Sequence, residues 1–262
     1  MEKQLAANHR RMTNKSPNLV ASTRQVFDEC ASIYLREDKH WGCDLDIIAG
    51  YVERFSDPEI LEFGTGYAWH LANLYFLVNA KIRRALGVDY SAEMLANARA
   101  FLVGIQHNGR TMLENVELRQ ADILDIGLAS GSFDVGLLLN NTLGNLPGET
   151  FEDALNERKR ALWAIRGALR AEGYLIVSVY NADRLSAEDT YGDVFELDHD
   201  LSKLDTMDLV VRFKKTKTPY YSHWFTPHEV RQLLYEASFR IVQVEERQKR
   251  VVIVAQKKKR AS

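Results

Sequence analysis

The sequence predicts one α/β domain with an open, doubly wound and mostly parallel sheet. Three observations support this prediction. The chain has 262 residues, of which 46% are hydrophobic, so it can bury one large core. From residue 59 onward, short apolar strands alternate with helical segments, which requires right-handed crossovers between parallel strands. Two alternating runs near the end of the chain predict an antiparallel hairpin.

The residues before the first strand predict an arm followed by two helices. Residues 1–20 are polar and aperiodic, and we expect a flexible arm there. In the stretch TRQVFDECASIYLRED, apolar residues recur at helical spacing. The face they form consists of Val26, Phe27, Cys30, Ile33 and Tyr34. A second helix is expected in DLDIIAGYVERF, so residues 21–57 are assigned to N-terminal helices and residues 58–262 to the main domain.

The main domain is then predicted element by element. Strands are expected at residues 59–63, 84–88, 116–120 and 133–139 and in EGYLIVSVYN. Helices are expected from about residue 68, after Ser91 and before EGYLIVSVYN. The inward face of this last helix is assigned to Leu155, Leu162, Ile165 and Leu169. Another helix begins at TPHEV, where Thr226 can cap and Pro227 can occupy the first position. The hairpin is FRIVQVEERQKRVVIVAQKK, and residues 182–225 form an insertion that we interpret as a lid or substrate wall.

Composition narrows the functional classes. The 34 Lys and Arg residues nearly balance the 36 Asp and Glu residues, which disfavours a nucleic-acid partner. The cysteines Cys30 and Cys43 have no metal-ligand spacing and suit a reducing compartment. No stretch approaches the roughly 18 apolar residues of a membrane span. We therefore expect a cytoplasmic protein with no metal and no membrane contact.

Two glycines in EILEFGTGYAWH suggest a ligand site at the first βα turn. Gly64 and Gly66 allow backbone angles and a close ligand approach that a Cβ would block. Asp89 ends the second strand, where an acid can accept both hydroxyls of a ribose. A tight turn without a ligand, with Ser91 merely capping the next helix, is the structural alternative. A nicotinamide dehydrogenase shares the turn and the acid, but the chain lacks a second domain of suitable size.

Four stretches together are similar to the motifs of class I S-adenosylmethionine (SAM) methyltransferases. LEFGTGYA resembles the first motif, with Ala68 in place of a third glycine, while GVDYS, RQADI and FDVGLLLNN resemble the second, third and fourth. The resemblance covers residues 59–181. It implies a Rossmann-like, mostly parallel seven-stranded sheet that ends in the antiparallel hairpin, with SAM as cofactor and S-adenosylhomocysteine as product.

The resemblance also assigns cofactor-binding roles. Glu62 would orient the methionine amino end through the glycine turn, and Asp89 would hold the ribose. Tyr90 would lie against the adenine, while Asp122 and the backbone of Ile123 would meet the adenine amino group. The complete cofactor set is Glu62, Gly64, Thr65, Gly66, Asp89, Tyr90, Asp122, Ile123 and Asn140.

Residues for the methyl acceptor are expected mainly after the fourth motif. NNTLGNLPGE is similar to the corresponding loop of histidine-specific N-methyltransferases and, more loosely, of glycine N-methyltransferases, which implies that Asn145 positions a substrate amino group. Asn141 and Thr142 are further substrate-binding candidates. Aromatic residues upstream and in the insertion extend the set, each with a structural role as the alternative. These candidates are Tyr34 and Trp41 near the cofactor or acceptor, Tyr221 in the insertion, and His223 as a base.

These observations predict a SAM-dependent methyltransferase that acts on a small molecule, by N-methylation of an amine or amino acid. O- or C-methylation of an aromatic or polyketide-like metabolite is the alternative. Methylation of RNA or protein is a third possibility, against which the balanced charge counts. We expect the protein to be a monomer or a homodimer.

Overall fold

The computed structural model describes residues 18–34, 44–79, 81–184, 194–247 and 249–258. The helices are α1 (Leu19–Glu29), α2 (Ala31–Tyr34), α3 (Leu45–Val52), α4 (Trp69–Leu77), α5 (Ala92–Val103), α6 (Phe151–Ala168) and α7 (Pro227–Glu236), with 3-10 turns at Met112–Glu114 and Ala182–Arg184. The strands are β1 (Glu59–Phe63), β2 (Arg84–Asp89), β3 (Gln106–His107), β4 (Arg110–Thr111), β5 (Val116–Gln120), β6 (Phe133–Leu138), β7 (Leu169–Tyr180), β8 (Phe195–Leu197), β9 (Asp208–Phe213), β10 (Pro219–His223), β11 (Phe239–Arg247) and β12 (Arg250–Lys257).

A seven-stranded sheet with the order β11-β12-β7-β6-β1-β2-β5 forms the centre of the fold. Strands β7, β6, β1, β2 and β5 run parallel to one another. Strand β12 is antiparallel to both β7 and β11. The predicted fold class is therefore confirmed, including the hairpin that closes one side of the sheet.

Helices cover both faces of this sheet, which explains why its strands are apolar on both sides. Strand β6 is buried along its whole length. On one face, α6 and α7 contribute Leu162, Ile165 and Leu233 to the core. On the other face, α3 and α4 contribute Ile48 and Leu71. The sheet is thus held rigidly from both sides, and its loops can present a site.

Two element boundaries differ from the prediction. Leu169 was expected on the inward face of a helix, but α6 ends at Ala168 because Leu169 is extended and pairs with Phe133 as the start of β7. The first helix begins at Leu19 rather than residue 21. The Asn18 side chain caps it by accepting a hydrogen bond from the backbone of Ala21 at 3.1 Å. Residues 1–17, most of the predicted arm, lie outside the described residues.

The insertion folds as an antiparallel sheet of β8, β9 and β10. Its apolar face packs against α1, where Val26 and Cys30 meet Val211, Tyr220 and Trp224. We refer to α1 and the strands β8–β10 together as the cover. Of the helices in the described part of the chain, none is long and apolar enough to cross a membrane.

Candidate active site

A cavity of about 570 Å³ lies where strands β1, β2, β5 and β6 end. Gly64 follows β1, Asp89 ends β2, Asp122 lies just beyond β5 and Asn140 just beyond β6, and all four line the cavity. Ligands of open α/β sheets bind at the carboxyl ends of the strands. The volume lies within the roughly 300–1,000 Å³ of small-molecule sites, so the cavity can hold an organic ligand.

The glycine turn that follows β1 needs its glycines for two different reasons. Gly64 has a φ of 63°, and a Cβ there would lie 2.5 Å from Oγ1 of Thr142. Gly66 has a φ of 54°, but a Cβ there would meet nothing within 4 Å because the position borders the cavity. Ala68, which takes the place of a third glycine, also adopts a left-handed φ of 61°. The turn therefore offers bare backbone to a ligand.

Glu62 lies behind this turn and holds it in place. The carboxylate is buried, accepts a hydrogen bond from Oγ1 of Thr65 at 2.7 Å and lies 3.0 Å from Nδ1 of His70. Among the described residues, the cavity lining includes Thr65 and His70 but not Glu62. Glu62 can therefore influence a ligand through the turn, which is the role that the resemblance implies.

Asp89 is placed to bind polar groups at the end of β2. Its carboxylate accepts hydrogen bonds from the backbone N–H groups of Gly66 at 2.9 Å and Ser91 at 3.0 Å. Burial raises the pKa of Asp89 to about 6 against the effect of these two bonds, and the negative charge of Glu62 contributes. Ser91 also caps α5 through the backbone of Met94, as expected for a helix start.

Helix α1 crosses the cavity at the positions expected to bind adenine. The guanidinium of Arg24 pairs with the carboxylate of Asp122 and lies 5.8 Å from the centre of the Tyr90 ring. The Tyr90 hydroxyl donates a hydrogen bond to the carbonyl of Thr23 at 3.2 Å. Burial raises the pKa of Tyr90 well above its ordinary value. Ile123 completes this end of the cavity.

The loop after β6 supplies three of the predicted side chains to the cavity: Asn140, Thr142 and Asn145. Oδ1 of Asn140 accepts a hydrogen bond from Arg250 at 2.8 Å. Oγ1 of Thr142 donates to the carbonyl of Leu139 at 2.7 Å. Oδ1 of Asn145 accepts a hydrogen bond from Nδ2 of Asn141 at 3.3 Å, which helps to orient the amide of Asn145. Together with the glycine turn after β1, these three residues form part of the cavity wall.

Asn141 is placed differently, because it connects the loop to other elements. It is completely buried, and the cavity lining in the described part of the chain does not include it. Its Nδ2 donates to Oγ of Ser222 and to the carbonyl of His223, and its Oδ1 accepts from the backbone of Tyr180 at 3.1 Å. The residue fixes the loop against β7 and β10.

The two insertion candidates also lie away from the cavity that the described residues enclose. The Tyr221 hydroxyl is 2.5 Å from both the Asp208 carboxylate and the Arg158 guanidinium. His223 lies between Asp208 and Glu229, with 2.8 Å from each ring nitrogen to a carboxylate. Burial lowers the pKa of His223, but these two hydrogen bonds outweigh it and raise the pKa overall. Trp41 and the side chain of Tyr34 lie outside the described residues.

Several residues that line the cavity were not predicted from the sequence. Helix α1 contributes Thr23, Arg24 and Phe27, while Tyr180 and Tyr220 form an aromatic wall. The remaining ionisable additions are His70, Glu149, Asp153, Glu157 and Arg160. The signal for His70 was its position just after the glycine turn. For Tyr220, the alternation of β10 was a signal, but it left open which set of side chains faces inward.

The family of the chain follows from comparison with known proteins. A family model described as a methyltransferase domain matches residues 55–238, well over half of the chain. Among curated proteins, none matches the sequence. The chain belongs to the methyltransferase domain family and is a class I SAM-dependent methyltransferase.

Solved structures show the same fold at low sequence identity. The CcbJ methyltransferase from Streptomyces caelestis is 18% identical, with a TM-score of 0.65 and coverage of 90% of this chain and 99% of that one. A 1,6-didemethyltoxoflavin-N1-methyltransferase from Burkholderia thailandensis is 17% identical, with a TM-score of 0.61 and coverage of 94% and 93%. A SAM-dependent methyltransferase from Methanosarcina mazei is 21% identical, with a TM-score of 0.58 and coverage of 81% and 97%.

The residues around the cavity fit SAM. The exposed backbone of the turn at Gly66 allows the close approach of an extended ligand, and the Asp89 carboxylate can accept two ribose hydroxyls. Ile123 offers apolar surface and Asp122 an acceptor for an adenine amino group. When bound, SAM supplies a methyl group on a positively charged sulfur.

Proposed function

We propose that this enzyme methylates a nitrogen atom of a small-molecule amine or amino acid. The observation that carries the proposal is the position of Asn145. Its side chain lines the same cavity as Gly66 and Asp89, and Asn141 fixes its amide through the 3.3 Å hydrogen bond. An amide oxygen can accept a hydrogen bond from an amine without competing with it as a nucleophile.

The chemistry requires alignment more than acid–base catalysis. By accepting one N–H bond, Asn145 would direct the lone pair of an unprotonated amine along the line of displacement. Acidic side chains of α6 also line the cavity and favour ligands with a positive charge. Asp153 and Glu157 belong to this side, although Glu157 also pairs with Arg160 at 2.7 Å. The bound amine would have to lose its proton before it reacts, so the rate should rise with pH.

The cover would enclose the acceptor and exclude water. We assign residues 21–57 to N-terminal helices that cover the cofactor site and residues 58–262 to the SAM-binding domain, with the insertion at about 182–225 on the acceptor side. Phe27 of α1 lies 5.8 Å from Tyr220 of β10 between ring centres, and both side chains line the cavity. The proposal is supported by the Burkholderia neighbour, which is named as an N1-methyltransferase and has 1,6-didemethyltoxoflavin and S-adenosylhomocysteine bound.

A second candidate is O- or C-methylation of an aromatic metabolite. It is favoured by the aromatic wall of Phe27, Tyr180 and Tyr220, which suits a planar acceptor. A phenol would need a base to remove its proton. The histidine considered for that task, His223, is enclosed by Asp208 and Glu229.

The experiment is to incubate the purified protein and SAM with a panel of primary amines, amino acids and phenols. The methylated atom is then identified by mass spectrometry and NMR. We expect methyl transfer to nitrogen, with a rate that increases as the amine is deprotonated. Transfer to oxygen or carbon that does not change in an Asn145→Ala variant would replace this proposal with the second candidate.

A further inference from the structure

The two faces of strand β10 meet different parts of the molecule. Side chains alternate along a strand, so Tyr220 and Ser222 share one face of β10. Tyr220 lines the cavity, and Oγ of Ser222 accepts a hydrogen bond from Nδ2 of Asn141 at 3.2 Å. Tyr221 and His223 share the opposite face. One face of β10 therefore adjoins the loop after β6, while the other adjoins a group of buried ionisable side chains.

This group, which we call the buried cluster, joins β10 to β9, α6 and α7. Asp208 of β9 accepts a hydrogen bond from the Tyr221 hydroxyl at 2.5 Å and lies 2.8 Å from Nδ1 of His223. Glu229 of α7 lies 2.8 Å from Nε2 of the same ring. Arg158 of α6 is buried and donates to the Tyr221 hydroxyl at 2.5 Å. Hydrogen bonds to charged groups are strong, so the cluster fixes β10 against both helices.

His223 needs a proton on both ring nitrogens to make its two contacts. Each nitrogen faces a carboxylate oxygen, and a neutral imidazole has one N–H group only. Burial and the positive charge of Arg158 lower the pKa of His223, but the hydrogen bonds to Asp208 and Glu229 outweigh them and raise it overall. Tyr221 stays neutral, because burial raises its pKa well above the ordinary value. The cluster is therefore complete only while His223 carries its charge.

The backbone of His223 is in direct contact with the loop after β6. Its N–H donates to the carbonyl of Gly144 at 2.8 Å, and its carbonyl accepts a hydrogen bond from Nδ2 of Asn141 at 3.2 Å. A Cβ at Gly144 would lie 2.2 Å from the His223 carbonyl oxygen, so the loop and the strand touch without space for a side chain. Nδ2 of Asn141 also donates to Oδ1 of Asn145 at 3.3 Å. A displacement of His223 would therefore reach Asn145 through Asn141.

We propose that His223 is a positioning residue for methyl transfer, which holds the loop after β6 and with it the amide of Asn145 in place. Asp208 and Glu229 fix the ring, and the backbone of His223 fixes the loop. The inference rests on the proposed function in one respect, that Asn145 contacts the acceptor. His223 acts without touching the substrate, and the loss of its proton at high pH loosens the loop.

Hydrogen–deuterium exchange of the full chain, measured by mass spectrometry, tests this role without a methyl acceptor. At pH 7, His223→Gln should speed amide exchange in residues 140–148 about tenfold, the lower end of the range for losing one hydrogen bond to a charged group. Exchange in residues 62–68, the glycine turn, should change less than about twofold. Leu234→Ala is the control for lost stability, because Leu234 is a fully buried core residue on the same helix as Glu229. It should not speed exchange in the loop more than in the turn.

The unaltered protein provides a second measurement, which requires no variant to fold. Exchange is compared at pH 7 and pH 9 after correction for the intrinsic pH dependence of amide exchange. Residues 140–148 should lose protection as His223 loses its proton, since the raised pKa makes its contribution present at low pH and absent at high pH. In His223→Gln this loss of protection should be absent.

Two results would overturn the proposal. The first is an increase of exchange by the same factor in the loop and the glycine turn of His223→Gln, since that would indicate a contribution to overall stability alone. The second is equal protection of the loop at pH 7 and pH 9 in the unaltered protein. Neither measurement involves SAM or a methyl acceptor, so N-methylation can fail while the positioning role holds, and the reverse.

Discussion

The sheet edge and the cover enclose the cavity from opposite sides, and different interactions hold them. At the sheet edge, the backbone ladders of β1, β2 and β6 place the residues, for example by pairing Phe63 with Val88 and with Leu138. Helix α1 of the cover is attached through side chains from distant parts of the chain, whereas β10 is also attached by a backbone hydrogen bond from His223 to the carbonyl of Gly144 at 2.8 Å. Asp28 accepts a hydrogen bond from the Ser91 hydroxyl at 2.5 Å, and the guanidinium of Arg24 pairs with the carboxylate of Asp122.

This difference suggests a division of labour. A backbone ladder is cooperative and determines positions to within a fraction of an ångström, which suits a cofactor that is always the same. Side-chain contacts can break and re-form at a cost of about 0.5–1.5 kcal/mol each, so a cover held by them can open for an acceptor. We expect changes at the edge to affect cofactor affinity and changes at β8–β10 or the loop after β6 to affect methyl transfer.

The largest effect is expected at the glycine turn. Gly66→Val should reduce affinity for S-adenosylhomocysteine by at least about a hundredfold, because the side chain would project into the cavity and steric exclusion exceeds the roughly 2.7 kcal/mol of that factor. Gly109→Val is a matched control. Gly109 also has a positive φ, 75°, and open space around its Cβ position, but it lies in the turn between β3 and β4. Calorimetry that finds equal losses in both variants would attribute the effect to backbone strain.

A substitution of Asn145 tests whether the loop after β6 positions the methyl acceptor. Asn145→Ala should lower the rate of methyl transfer about ten- to a thousandfold, which corresponds to about 1.4 to 4 kcal/mol of lost alignment. Affinity for S-adenosylhomocysteine should change less than about twofold, as measured by calorimetry on the same preparation. Asn73→Ala provides the control, because Asn73 donates to the carbonyl of Trp69 on α4 and does not line the cavity of the described chain. An unchanged rate in Asn145→Ala would contradict the proposed role.

The raised pKa of Asp89 predicts that cofactor affinity depends on pH. Because its pKa is about 6 and the charged form accepts the ribose hydroxyls, affinity for S-adenosylhomocysteine should fall below pH 6 by up to about tenfold per pH unit. Asp89→Asn should bind S-adenosylhomocysteine more weakly at pH 8 and lose this pH dependence.

The raised pKa of Asp89 also affects stability, because it favours the neutral carboxyl group in the folded protein. Its contribution to the free energy of unfolding is therefore present at low pH and declines as pH rises from 3.8 to about 6.

The smallest effect on ligand binding is expected at His223. His223→Gln should leave affinity for S-adenosylhomocysteine unchanged but reduce the free energy of unfolding by about 1–3 kcal/mol, since it weakens a buried connection between β10 and α7. The pKa is raised, so this stabilisation is complete below pH 6.5 and is lost as pH rises through the folded-state value. Urea unfolding at pH 6 and pH 9 measures it. If His223→Gln reduced the free energy of unfolding more at pH 9 than at pH 6, the stabilising role assigned to protonated His223 would be contradicted.

The sequence predicted the edge better than the cover for a physical reason. Gly64, Gly66 and Asp89 stand next to strands, and strand ends in a parallel sheet converge at one edge, so local pattern was sufficient. Arg24 meets Asp122 across 98 residues of sequence, which no local pattern reports. Alternation in β10 identified two possible faces, but only packing against α1 determines that Tyr220 lines the cavity while Tyr221 pairs with Asp208.

A crystal structure of the enzyme with S-adenosylhomocysteine tests the central claim, that the sheet edge binds the cofactor and the loop after β6 receives the acceptor. The account predicts ribose hydroxyls on the Asp89 carboxylate, adenine beside Ile123 and Asp122, and the sulfur facing the space next to Asn145. A ligand bound elsewhere, or a sulfur that faces away from Asn145 with no room for an acceptor between them, would contradict it.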